Sequence, residues 1–309
     1  MRLNSYLILG LIALVLLLAN YFTKRAKKFT QQKTSSSVLF VEILKLGVGI
    51  AVFAIVSLGL IHRDGFTLSV VETEGTDETV QLVTDSTDTG NSKYYLSQQT
   101  WRDFNKQKHS LPFKVQYEAV LNAHKNRNAF AITPSFSWGI FYKYVVDHDT
   151  PLVEELSLAF YNYQKEKNMS RRDFAELIIS AIQDIPYSLL LSDECKKSDV
   201  QPCFSHIKLG VLAPAEFVSS LRADCDTRTL LIYTLLSRFN YDVAILNSEK
   251  YLHSVIGLNI PSTGKYKTLK NKKYYFVETT ARGCPIGYLP NDVSNISYWT
   301  FVLIHNQQL

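Results

Sequence analysis

Two long apolar stretches, at 6–22 and 38–61, dominate the start of the chain. The first has no charge, and the second carries only Glu42 and Lys45, near its beginning. A helix rises about 1.5 Å per residue, so both can cross roughly 30 Å of hydrocarbon, the second more comfortably. Glu42 and Lys45 stand three apart and share a helix face, where they pair or reach toward the interface. A cleaved signal peptide is the alternative for the first stretch. Its lone Arg2 and the poor cleavage segment Leu18-Ala19-Asn20-Tyr21 favour two spanning helices instead.

Beyond the second stretch the period shortens. Residues 66–71 alternate apolar and polar as a strand does, and 72–92, rich in Thr, Asp, Ser and Gly, reads as hairpins or a loop. Residues 113–117 alternate again, so 63–145 is expected to be a β-containing accessory region.

From Pro151 the pattern turns helical, with Leu152, Val153, Leu156 and Phe160 recurring at three and four. Ser170 caps a second helix, with Asp173 three residues on; Phe174, Leu177, Ile178, Ala181 and Ile182 form its apolar face, and it stops before Pro186. A polar connection covers 188–213, and 214–221 reads as another helical turn or two. A strongly apolar helix follows from Cys225 to about Phe239, and Asn240 suits the left-handed position after it. Strands are expected at 241–246, 251–260 and 273–279, the last two joined by a hairpin. The fold class is α+β, with a central helix packed on an antiparallel sheet.

Charge sharpens the layout. The 309 residues hold 33 Lys/Arg and 28 Asp/Glu, a formal +5. Seven of those bases and one of those acids fall in 1–62, leaving 26 against 27 in the remainder. The basic balance therefore belongs to the membrane-proximal segment, and nothing supports a nucleic-acid partner. Lys24, Arg25, Lys27, Lys28 and Lys33 sit in the connector 23–37, which the positive-inside rule places in the cytoplasm. The large domain then faces outward from a bacterial inner membrane, into the periplasm. The lysines at 265, 267, 270, 272 and 273 read as a solvated hairpin tip.

The four cysteines suit an oxidising compartment. Cys195 and Cys203 bracket a short polar loop and could close a small disulfide, although a Cys203–Cys284 bridge is also open. Cys195, Cys203 and His206 lack a fourth ligand at zinc-finger spacing, so no metal is expected.

Candidate chemistry centres on Cys225 in the run Leu221-Arg222-Ala223-Asp224-Cys225-Asp226-Thr227-Arg228. Asp224 is a good N-cap, which puts the thiol in the first turn of the apolar helix. A helix N-terminus and an adjacent imidazolium would lower the thiol pKa. His253 and Glu278 lie on the two strands that pair across the hairpin, so the carboxylate could orient the ring. Cys225 alone reads as an ordinary buried cysteine; with His253 and Glu278 it becomes a nucleophile with a base and an orienting group. The Cys225 N–H is a natural oxyanion donor, and Gln183 or Tyr187 could add a side-chain donor. Asp226 and Arg228 are expected to form a local ion pair or to brace the loop.

Residues 150–290 resemble the transglutaminase-like superfamily, in its bacterial cysteine-peptidase-like branch. The resemblance rests on Ala181-Ile182-Gln183-Asp184-Ile185-Pro186-Tyr187, Pro214-Ala215-Glu216-Phe217, Asp224-Cys225-Asp226-Thr227-Arg228, Leu252-His253-Ser254-Val255-Ile256-Gly257 and Val277-Glu278-Thr279-Thr280, in that order. It departs from the family at Ala223, where many members have Gly, and at Glu278, where many have Asp. It implies a papain/transglutaminase-like catalytic domain over 146–309, with Cys225 as nucleophile, His253 as general base and acid, and Glu278 as third member.

The function expected is acyl transfer from a peptide or protein substrate, through a thioester, to water or to an amine. No organic cofactor is needed. Hydrolysis is preferred, since nothing marks an amine-acceptor site. The competing expectation is a non-catalytic module holding a peptide or envelope protein in the same cleft. A further one is an interaction protein that assembles through its membrane helices.

Overall fold

The computed structural model describes residues 80–87 and 90–305. The expected spans at 6–22 and 38–61, the connector 23–37 and the strand at 66–71 lie outside the described residues. Among the described residues, no helix is long and apolar enough to cross a membrane.

The described chain opens with three antiparallel strands, β1 (Gln81–Thr87), β2 (Gly90–Arg102) and β3 (Lys108–Gln116). Along β3 exposed and buried positions alternate, and His109, Leu111, Phe113 and Val115 face inward. Helices α1 (Tyr117–Ala129) and α2 (Trp138–Asp149) follow at once. The described part of the segment expected to contain β structure does so in β1–β3, and two further stretches of it are helical. The short α3 (Glu154–Glu166) continues from a 3₁₀ turn that begins at Thr150 and holds Pro151.

Helix α4 (Arg171–Asp184) starts as its sequence dictates: the Ser170 hydroxyl oxygen accepts from the Asp173 N–H at 3.2 Å. Its end meets Ile185 in extended backbone ahead of Pro186. The connection that follows is pinned by two short parallel strands, β4 (Leu189–Leu190) and β5 (Cys203–Phe204), and by a disulfide between Cys195 and Cys203. Helix α5 (Pro214–Ser220) has Pro at its first position and ends on Leu221, whose φ is 53°. Helix α6 (Cys225–Arg238) then runs through the interior; twelve of its fourteen residues are buried. Asn240 takes the left-handed position past its end, with φ 57°.

The second sheet has five antiparallel strands in the order β10 (Thr300–Ile304), β6 (Val243–Ser248), β7 (His253–Leu258), β9 (Lys272–Val277) and β8 (Tyr266–Leu269). Lys270 and Asn271, both with positive φ, make the two-residue turn between β8 and β9. The Lys265 and Lys267 ammonium groups reach carbonyl oxygens of the segment 294–299, so this hairpin is tied down rather than only solvated.

One core joins both halves. Trp101, Phe113, Phe160, Ile178, Leu231 and Leu303 belong to the same buried cluster, and the Trp101 indole N–H donates to the Ser180 hydroxyl across it at 3.1 Å. The described part of 63–145 therefore shares its interior with 146–305, within one compact unit. Helix α6 packs against β6 and β7 and against α4 and α5.

Candidate active site

Cys225 is the first residue of α6, and the Asp224 carboxylate before it accepts from the Thr227 N–H at 3.0 Å. The cap fixes where the helix begins, and so where the sulfur sits. The thiol is free of any disulfide and 8% exposed. The backbone N–H of Ser254, one residue after His253, hydrogen-bonds the sulfur. The Thr229 hydroxyl, one turn further along α6, donates to the Ser254 carbonyl at 3.3 Å. The helix start and the start of β7 are thus stitched together beside the thiol.

His253 and Glu278 meet. His253 Nε2 lies 3.0 Å from Glu278 Oε2 and 3.2 Å from Oε1. Glu278 Oε1 also accepts from the Thr279 N–H, the Thr280 N–H and the Thr280 hydroxyl, at 2.7–2.9 Å. Burial opposes charge on this carboxyl. The bond to His253, the imidazole's charge and the Thr280 donors outweigh it and hold its pKa down to about 2. With Nε2 engaged, Nδ1 is the ring nitrogen left to exchange a proton with another group. The His253 ring stands edge-on to the fully buried Trp299, centroids 5.8 Å apart.

The thiol's electrostatics run against the expectation from sequence. Burial, then the carboxylates of Asp226 and Asp224, push the Cys225 thiol well above its ordinary value. The helix-terminus effect is real but short in range, and two acids in the cap and first turn oppose it. Asp224 is itself pushed up to about 8, by burial and then by Asp226.

Asp226 and Arg228 do not pair with each other; of the two expected roles, Arg228 takes that of bracing the loop. The Arg228 guanidinium is fully buried and donates to carbonyl oxygens of Ile182 at 2.9 Å, Ile185 at 2.5 Å and Ala223 at 3.4 Å. These are the orphan acceptors at the end of α4 and the peptide before the cap. Burial lowers its pKa to about 10. Asp226 instead accepts from the Tyr142 hydroxyl at 2.5 Å and from the Ser254 hydroxyl through Oδ1, while the Cys225 thiol donates to Oδ2 at 3.8 Å.

Gln183 takes a structural place. Its amide nitrogen donates to the carbonyl oxygens of Glu278 and Cys284, at 2.7 and 2.9 Å, beneath the segment that carries the Glu278 carboxylate. That leaves no free donor aimed at the sulfur. Tyr187 does border the site: burial, then Cys225, Asp224 and Asp226, raise its hydroxyl. Cys195 and Cys203 form the disulfide of the 189–204 connection, and Cys284 is free and buried.

Sequence reasoning missed Tyr142, Asn247, Ser254 and Trp299. Only Ser254 carried a signal, as the neighbour of His253 on the opposite strand face. Among the described residues, no group of three or more His, Cys, Asp or Glu side chains is arranged to hold a metal ion. Two open cavities, of about 780 and 460 Å³, lie elsewhere, beside Tyr266 and Ile296 and beside His109 and Tyr163. Compared with protein-family models, curated proteins and solved structures, the chain gives no match.

Proposed function

We propose that this chain is a cysteine-dependent acyl-transfer enzyme of transglutaminase-like type. It is anchored by two membrane spans, with its catalytic domain in the periplasm. The observation that carries the reading is the His253–Glu278 pair at 3.0 Å, one residue from the Ser254 N–H that binds the Cys225 sulfur. Nucleophile, base and orienting acid come from a helix start, a strand start and a strand end, as the papain/transglutaminase-like core arranges them.

In the reaction, Cys225 Sγ attacks an amide carbonyl carbon while His253 takes the thiol proton. His253 returns that proton to the leaving amine as the C–N bond breaks, leaving a thioester on Cys225. Water, or a second amine, then attacks the thioester and frees the thiol. Glu278 keeps the ring oriented and balances its charge. The Cys225 N–H at the helix start and the Tyr187 hydroxyl are the candidate donors to the oxyanion.

The test is thiol labelling set against turnover. A peptide-derived electrophile that occupies the substrate site should label Cys225 ahead of Cys284, and labelling and Cys225→Ala should each abolish turnover of peptide or amide substrates. Full labelling with activity untouched would remove Cys225 from the mechanism.

A second reading, a non-catalytic module holding a peptide, is favoured by the low exposure of Cys225 and by the acids that oppose its ionisation. In that case His253→Ala leaves thiol reactivity where it was.

A further inference from the structure

Asp226 stands at the centre of a network no element of the triad requires. Its Oδ1 accepts from Tyr142 on α2 at 2.5 Å, and from Ser254 on β7. The Asn247 side chain on β6 donates to the Tyr142 oxygen at 3.1 Å, and its carbonyl lies 3.0 Å from the Ser254 hydroxyl. Its Oδ2 faces the Cys225 thiol at 3.8 Å. Tyr142 is fully buried, 1% exposed. Two hydroxyls, from α2 and β7, therefore converge on one oxygen of this carboxylate, the Asn247 amide on β6 braces both of them, and the remaining carboxylate oxygen faces the Cys225 thiol.

The two hydroxyl donors on Oδ1 fix the carboxylate in place and leave Oδ2 turned toward the sulfur. A negative charge beside a thiol favours S–H over S⁻. Resting on the acyl-transfer reading of this site, we propose that Asp226 is a positioning residue: it accepts the S–H bond of Cys225 and keeps the nucleophile a neutral thiol until substrate binds. The proton then leaves sulfur for His253 in the same step that forms the S–C bond. No free thiolate waits in the resting enzyme, which keeps the sulfur away from stray electrophiles and oxidants.

The groups facing this thiol are consistent with that role. Asp224 and Asp226 approach from its own helix, Glu278 from the segment after β9, and Tyr187 from the connection after α4. Tyr142 approaches Asp226 from α2. The basic side chains nearby have other partners: the His253 ring bonds Glu278, and the Arg228 guanidinium bonds backbone carbonyls.

The experiment is the pH profile of Cys225 alkylation by iodoacetamide in the full chain, with peptide mass mapping to separate Cys225 from Cys284. Wild type should react with a midpoint above the ordinary thiol value of about 8.5. Asp226→Asn should move that midpoint down by about one pH unit, and Asp226→Glu should restore most of the wild-type profile. An unmoved midpoint in a folded Asp226→Asn protein overturns the proposal. Should Asp226→Asn fail to fold, the infrared S–H band of Cys225 decides, read at neutral pH as wild type minus Cys225→Ala. Its presence supports the proposal and its absence overturns it. Failure of the acyl-transfer reading looks different, because turnover is then absent in wild type or survives Cys225→Ala, whatever the profile does.

Discussion

His253 Nε2 and Glu278 Oε2 lie 3.0 Å apart, although 25 residues of chain separate them. Their strands β7 and β9 pair antiparallel, Ile256 opposite Val277, which brings the ends carrying both residues to the same edge of the site. Glu278→Gln keeps the shape and removes the charge. It should slow any turnover on the order of 10²-fold or more, with the fold intact by circular dichroism.

The same carboxylate has a pH signature. Its folded pKa, about 2, lies below its ordinary value of 4.5. The stability it contributes is therefore present above about pH 4.5 and lost as pH falls toward 2. The loss should be about 3 kcal/mol, read from urea unfolding between pH 5 and 2, and Glu278→Gln should remove it.

Asp149 should act in the opposite direction. It is fully buried, its oxygen accepts from the Ala215 N–H at 2.6 Å, and burial raises its pKa to about 8. The unfolded chain releases this proton near pH 4 and the folded chain holds it to about pH 8, so stability falls as pH rises between those values. Asp149→Asn should flatten that fall by an amount on the order of 4 kcal/mol, measured as the unfolding free energy at pH 5 and at pH 8.

Arg228 joins the end of α4 to the start of α6 through its bonds to Ile182, Ile185 and Ala223. Arg228→Ala leaves these buried carbonyls without donors and opens a space where a fully buried side chain stood. It should cost about 3–5 kcal/mol in chemical unfolding. Arg228→Lys should recover only part, because one ammonium cannot span the three acceptors.

The Cys195–Cys203 bridge closes a short loop, with a sequence separation of 8. Its chain-entropy contribution is about 2–3 kcal/mol, so Cys195→Ser with Cys203→Ser should lower stability by that amount in unfolding experiments. Alkylation of Cys225 should continue at its wild-type rate in the same protein.

The sequence reading succeeded where local chemistry decides. Asp224 and Ser170 cap their helices as expected, and Asn240 ends α6, because caps depend on residues within one turn. The order of the strands carrying His253 and Glu278 was also legible from alternation. Helix α1 was not: its buried residues Ala119, Val120, Ala123 and Arg127 make a narrow stripe of small side chains and one charge, without the broad apolar face that marks an amphipathic helix.

The expected Asp226–Arg228 ion pair is absent for a geometric reason. Residues two apart on a helix point to different sides, so these two cannot face each other. Tyr142, which bonds Asp226, and the Ile182 and Ile185 carbonyls, which bond Arg228, lie more than 40 residues away in the chain. Gln183 is likewise polar in an apolar pattern, and only the tertiary fold places the backbone of Glu278 and Cys284 over it. Spacing along one chain carries no signal of such contacts.

The most direct test is capture of the acyl-enzyme. Membranes bearing the full chain are incubated with a mixture of peptide amides, quenched in acid and digested, and the Cys225 peptide is weighed by mass spectrometry. The account predicts a hydroxylamine-sensitive acyl adduct on Cys225, absent in Cys225→Ala and strongly reduced in His253→Ala. Substrate turnover that continues with Cys225 unmodified, and that survives Cys225→Ala, would contradict it.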